Sequence, residues 1–485
     1  MAVKKSLLLL LGAALLLGGA LPAAAGAPYE SYLYNYWGDA VPAPDAYLPD
    51  KAVTGGDLGI GSFAEPSDAA VSPAGEVYIL DSGNKRIVVL DREYRLRRVL
   101  ESFDNNGTKD GFQGPSGIYV DGEGLVYVAD TAGKRIVVLN AEGRLQRIVD
   151  NPQSDILASG FQFLPLKVTA DRAGRIYTVA QGVFEGLMQF DEQGRFIGYI
   201  GTNKVRRDYR EYIWRLFSTD AQRAQGVLFV PTEFSNADAD YKGFLYATNI
   251  DPNSTVPIKR LNPSGEDVLK RFGYNDVRGD LIYRTSVGPS KMIDIKFIGD
   301  GMYSALDATQ NRVFTYDDEG HLLYVFGGKG NQLGTLKTPV AVEKLGGDRL
   351  VLDRGRASLV VYKPTFYGAA INEAAALHYR GEDAEALGLW RKVLQLNSNF
   401  DLAYIGIGKA YLMEKNNKAA LDYFKLGSDK KSYSVAYKRY RREMMKEHFG
   451  TVLTAAASAA ALLAALKLAA TWRGRRGRDR EANLH

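Results

Sequence analysis

Four histidines occur in the 485 residues, at 321, 378, 448 and 485, and cysteine is absent. A cysteine nucleophile, a disulfide and a thiolate metal site are therefore excluded. Three of the histidines, 378, 448 and 485, fall outside the repeat region described below, so a three-histidine zinc centre cannot form there. No Gly-x-Ser-x-Gly elbow or phosphate-cradling glycine loop stands in a suitable context. Asp104-Asn105-Asn106-Gly107 opens like a calcium loop. Lys109 then occupies the sixth position, where glycine is needed, and Pro115 the twelfth, where glutamate is needed. No metal site and no cofactor are predicted.

Recognition has a sharper candidate. Residues 206–217 place Tyr209, Ile213, Leu216 and Phe217 at helical spacing, as in an amphipathic helix laid on a larger body. Tyr209, Tyr212, Trp214 and Arg215 are the candidate binding residues, because long connections on a rigid scaffold are common binding sites. A helix that merely packs on its own scaffold would show the same pattern.

The scaffold that must position them is a repeat. Pro66-Ser67-Asp68, Val77-Tyr78-Ile79-Leu80-Asp81 and Arg86-Ile87-Val88-Val89-Leu90 recur as Pro115-Ser116-Gly117, Val126-Tyr127-Val128-Ala129-Asp130 and Arg135-Ile136-Val137-Val138-Leu139. Four weaker copies open at Pro165, Pro231, Pro289 and Pro339, giving spacings of 49, 50, 66, 58 and 50. Six copies of three or four short strands predict a propeller, because a small sheet exposes two apolar faces that radial neighbours bury. The last copy lacks an outermost strand after Tyr362, and Tyr47–Thr54 is the segment that could supply it and close the ring.

The opening proline, the tyrosine-bearing second strand, the Asp-x-x-Asn-x-Arg turn and the Arg-Ile-Val-Val third strand resemble the NHL-repeat family of six-bladed propellers. The likeness is closest over residues 64–149. The turn is complete at Asp81-Ser82-Gly83-Asn84-Lys85-Arg86, whereas Gly133 replaces the asparagine in the second copy. Such turns invite a ligand reading, but aspartate accepting turn N–H bonds and arginine bridging strands explains them without one. The resemblance implies a fold more firmly than a function, since such propellers bind proteins, RNA or sugars and a few are enzymes. A metal-dependent hydrolase resembling the gluconolactonases and a carbohydrate-binding propeller are the alternatives.

After Phe366 the apolar period changes from 2 to 3.6. Ala386 and Trp390 recur 34 residues later as Ala420 and Phe424. With Gly408 and Tyr411 they resemble tetratricopeptide repeats over 367–433. A further helix, Ser434–Phe449, places Tyr437, Tyr440 and Met444 on one face.

The ends read as targeting. Lys4-Lys5, an apolar run over Leu7–Leu17 and Ala23-Ala24-Ala25 predict a signal peptide over 1–25. Thr451–Trp472 holds one charge, Lys467, and is followed by arginines at 473, 475, 476, 478 and 480. That predicts a transmembrane helix with a basic cytoplasmic tail over 473–485. The net charge of +5 resides at these ends, and residues 26–428 sum to about −5, which argues against nucleic acid as a partner.

The expected architecture is thus an all-β six-bladed propeller (64–366) after an N-terminal segment (26–63). A small all-α tetratricopeptide-like module (367–449) and one transmembrane helix (451–472) follow. The expected protein is a bacterial, single-pass cell-membrane protein, extracytoplasmic in bulk, that binds or scaffolds a protein partner, such as an envelope or transport complex, and is not an enzyme. A small ligand or sugar remains open.

Overall fold

The computed structural model describes residues 26–157, 160–201, 234–251 and 254–482. Residues 1–25, expected from sequence to be a signal peptide, lie outside these, as do Tyr209, Tyr212, Trp214 and Arg215.

Within residues 47–364 six sheets form blades whose inner strands contact one another in a closed ring. Those strands are Asp68–Val71, Pro115–Val120, Pro165–Ala170, Phe234–Ala239, Met292–Gly299 and Pro339–Leu345, one for each of blades 1 to 6. Five blades are four-stranded antiparallel meanders. Among the described residues blade 4 has three strands, and its edge continues as a bridge between Leu261 and Asp267. In blade 6 the outermost strand is Tyr47–Thr54, paired antiparallel to Ser358–Pro364 with Val53 opposite Leu359. The first strand of the propeller thereby clasps the last blade and joins the two ends of the ring.

The core lies between blades. Val77, Ile79, Val88 and Leu90 of blade 1 pack on Leu350, Leu352, Leu359 and Val361 of blade 6, together with Val53. Each second strand is buried on both faces, which is why these strands read as unbroken apolar runs. In blades 2 and 3 the repeated tyrosine in that strand ties the adjacent turn. Tyr127 donates to Asp121 Oδ2 and Tyr177 to Asp171 Oδ2, both at 3.0 Å.

Five helices follow: α1 (Phe366–Arg380), α2 (Asp383–Leu396), α3 (Asp401–Met413), α4 (Asn417–Leu426) and α5 (Lys430–Ala482). The chain divides into two compact units, and α1 belongs with the propeller. Thr365 donates to the Ala46 carbonyl at 2.9 Å, and Asn372 links Tyr324 (2.7 Å) and Tyr47 (2.9 Å). In the second unit Trp390 stacks on Phe400, and Gly406 lets the indole approach where a Cβ would stand 2.3 Å from its Nε1. Phe424 fits against Gly408 in the same way. α5 is one continuous helix, long and apolar enough to cross a membrane.

Candidate functional site

Every blade except the first shows a register shift two residues into its inner strand, as between Pro115 and Gly117 or Pro165 and Lys167. Such a bulge re-aims the following side chains, and the strand period then repeats every second residue. Equivalent positions give two tiers around the axis. The first holds Asp68, Gly117, Lys167, Asn236, Asp294 and Ala341, and the second Ala70, Tyr119, Thr169, Asp238, Lys296 and Glu343.

In the first tier Lys167 Nζ lies 2.8 Å from Asp68 Oδ1. The other Asp68 oxygen accepts from the Ile118 amide at 2.9 Å. Asp294 accepts from Asn236 Nδ2 and, at 2.5 Å, from the Val342 amide. Burial pushes Asp294 up to about 7, against the pull of Lys167 and with the repulsion of Asp68. In the second tier Lys296 Nζ lies 2.9 Å from Glu343 and 3.3 Å from Asp238. Burial pushes Glu343 up to about 8, with Lys296 opposing. Burial disfavours the Lys296 charge, but Asp238 and Glu343 outweigh it and hold its pKa above the usual lysine range.

The channel therefore brings four carboxylates onto two ammonium groups. A divalent cation needs carboxylates that converge on open space, and here the lysine heads take that place, so the channel residues do not fit a hydrolase metal centre of the kind the gluconolactonase resemblance implies. Among the described residues no three His, Asp or Glu side chains come together in a manner that could hold a metal ion.

The two faces of the ring differ. With four strands per blade, the turns between second and third strands share a face with the connections between blades. On that face the Asp-x-x-Asn-x-Arg turns are structural. Buried Asp81 accepts from the Ala64 amide (2.7 Å), Asn84 (2.8 Å) and Arg86 (2.7 Å). Asp130 likewise accepts from the Gln113 and Gly114 amides and from Arg135. Arg312 of blade 5 turns instead to Asp280, at 3.1 Å. Asp104-Asn105-Asn106-Gly107 forms a hairpin tip in which Asp104 accepts from the Gly107 amide.

The other face carries short turns of one design. Asp121, Asp171 and Asp240 each accept from the amides two and four residues ahead, and a left-handed glycine follows at 124, 174 and 243. These turns rim a recess of about 900 Å³ over blades 2 to 4. Tyr119, Tyr127 and Tyr241 line it with Asp121, Glu123, Asp171, Glu192 and Asp240, and Arg147 and Arg172 stand among them. Asp171 is paired with Arg175 and Asp240 with Arg260. Tyr241 is 41% exposed, with the Arg172 guanidinium 5.9 Å from its ring centre and Phe297 at 5.6 Å. A second recess over blades 1, 5 and 6 meets the first at Asp121 and Gly122 and has Lys296 and Glu343 in its wall. The second charge tier thus opens on this face.

Of the residues singled out for binding, Tyr209, Tyr212, Trp214 and Arg215 lie outside the described residues, and the strand ends flanking them, Ile200 and Phe234, are at the opposite end of the blades from the recess. The recess and the channel charges were not singled out from sequence. Aligning the six copies on their opening residues and asking which inner-strand positions are charged would have found Asp68, Lys167 and Asp294. The recurring Asp-x-x-Gly spacing would have found the turns.

This fold defines a six-bladed β-propeller followed by helices. Residues 63–90 and 112–139, which form most of blades 1 and 2, match the NHL repeat. No curated protein matches the chain in sequence. Similar solved structures include virginiamycin B lyase from Staphylococcus aureus (12% identity, TM-score 0.38, covering 69% of this chain and 87% of that one). A streptogramin B lyase is similar at 12% identity, TM-score 0.39 and coverage of 62% and 94%. A structural-genomics protein from Bacteroides thetaiotaomicron is similar at 12%, 0.44, and 69% and 76%. The lyases are enzymes, so the expectation that this chain is not an enzyme is withdrawn. Likeness this distant does not make the chain an enzyme either.

Proposed function

We propose that the chain is a membrane-tethered, extracytoplasmic binding protein that presents the short-turn face of its propeller to a protein partner, such as a component of an envelope or transport complex. The carrying observation is the recess of about 900 Å³ on that face, with exposed Tyr241 and half-buried Tyr119 in its wall and hydrogen-bonded turns fixing its rim. Tyrosine gives contact area at little entropic cost, and rigid turns hold it in place before binding. With Asp171 and Asp240 already paired to Arg175 and Arg260, three carboxylates, Asp121, Glu123 and Glu192, stand against Arg147 and Arg172 in the wall, a small acidic excess that suits a partner segment with some basic character. The helix Lys430–Ala482 supplies the tether, with residues 473–485 in the cytoplasm and α2 to α4 acting as a tetratricopeptide-like spacer or second contact surface.

The test is affinity capture of the tagged full chain from cross-linked native membranes, comparing wild type with Tyr241→Ala/Arg172→Ala. A polypeptide recovered with wild type and depleted with the variant supports the reading. Equal recovery with both contradicts it.

A further inference from the structure

The first turns of α5 sort their side chains by chemistry. Ala436 is buried, Tyr440 and Met444 are half-buried, Glu443 accepts from Asn417 Nδ2 and Arg439 reaches the Leu412 carbonyl. That side of the helix packs within its own unit, and Glu447, one turn beyond Glu443, lies on it. The opposite side carries Lys438, Arg441, Arg442, Met445, Lys446 and Phe449, all exposed and lining one shallow groove. Its four cations have no acidic residue among them. Both carboxylates of the segment, Glu443 and Glu447, occupy positions on the other side of the helix. The stripe then runs without a break in the helix into the apolar segment that starts at Thr451.

We propose that this stripe binds the phosphates of anionic lipid headgroups on the side of the membrane that faces the folded units. The inference rests on the reading of Thr451–Trp472 as a membrane span. Along the axis the cations stand roughly 8 to 20 Å from Thr451. The nearer ones are level with the headgroups and the farther ones are within about two Debye lengths of them. Because all four lie on one face, a tilt of the helix toward that face lowers them together, and Met445 and Phe449 then meet the acyl boundary. Cations spread around the helix would gain nothing net from such a tilt. Guanidinium groups pair phosphate in a fork, so the site favours an anionic phosphodiester over zwitterionic lipid.

The experiment uses the full chain reconstituted in phosphatidylcholine vesicles with spin-labelled phosphatidylglycerol or phosphatidylcholine as probe. The readout is the preference for the anionic label at the protein boundary. The four-site variant Lys438→Gln/Arg441→Gln/Arg442→Gln/Lys446→Gln should lose at least about five-fold of that preference. Exchange of each arginine for lysine and each lysine for arginine should keep it. A variant with glutamine at the five arginines between 473 and 480 should also keep the part owed to the stripe. Equal preference in wild type and the four-site variant overturns the proposal while leaving the span intact. Release of wild type from the vesicles by alkaline wash overturns the span itself, and the proposal with it.

Discussion

Lys167 of blade 3 reaches across blade 2 to Asp68 of blade 1, with 2.8 Å between Nζ and Oδ1. The crossing is possible because the intervening position is Gly117. A Cβ there would stand 2.5 Å from the Leu166 carbonyl oxygen and 2.9 Å from the Lys167 Cα. Absence of a side chain in blade 2 lets its neighbours close up and join charges directly. The axis of the propeller is thus held by ionic links as well as by apolar packing between blades.

Removing one partner of such a buried group is costly because the remaining charges stay desolvated. Lys167→Met should destabilise the propeller by about 3–5 kcal/mol in denaturant unfolding of the full chain in detergent. Adding Asp68→Asn should restore part of the loss, since it removes the stranded charge. A double variant no better than the single one would show that Lys167 acts by packing alone.

The pH dependence follows from Asp294 and Glu343. Their folded pKa values, about 7 and about 8, lie above their ordinary values of 3.8 and 4.5. Between those limits the folded state binds more protons than the unfolded chain, so stability falls as pH rises through that window. Glu343→Gln cannot titrate and should flatten the upper part of the slope. Melting temperatures from pH 5 to pH 9 check this, and an unchanged slope would remove Glu343 as its source.

The repeat was legible where two copies agree side by side. Pro66 with Pro115, Tyr78 with Tyr127 and Arg86 with Arg135 define two blades outright, and those are the blades that match the NHL repeat. The strands of the later copies stayed readable because burial on both faces keeps them apolar. The channel was not legible in the same way. Asp68, Lys167 and Asp294 belong to different blades, and each looks like an ordinary surface charge until the ring brings them together. The recess was hidden for another reason. Its wall is built of turn residues, whose Asp and Gly were explained by backbone needs alone.

The clasp of blade 6 gives a further prediction. Val53 is buried among Leu359, Val361 and Val77. Val53→Asp places an unpaired charge in that cluster and should release Tyr47–Thr54 from Ser358–Pro364. Hydrogen exchange should then rise in both strands, with the second unit unaffected. Exchange confined to Tyr47–Thr54 would mean that the last strand is held without its partner.

The join between α1 and the propeller depends on Gly368. A Cβ there would lie 2.0 Å from the Ala46 carbonyl oxygen, which is backbone and cannot step aside. Gly368→Val should cost about 1–3 kcal/mol and expose the Thr365 region to protease. Unchanged proteolysis would show that the helix tolerates displacement.

The short-turn face is the proposed docking surface for the partner. A photo-cross-linking residue placed at Tyr241, on that face, and separately at Asn106, on the hairpin tip beside the blade-to-blade connections, tests it in native membranes. Docking on that face should give a discrete cross-linked polypeptide from Tyr241 and none from Asn106. The reverse pattern would contradict it.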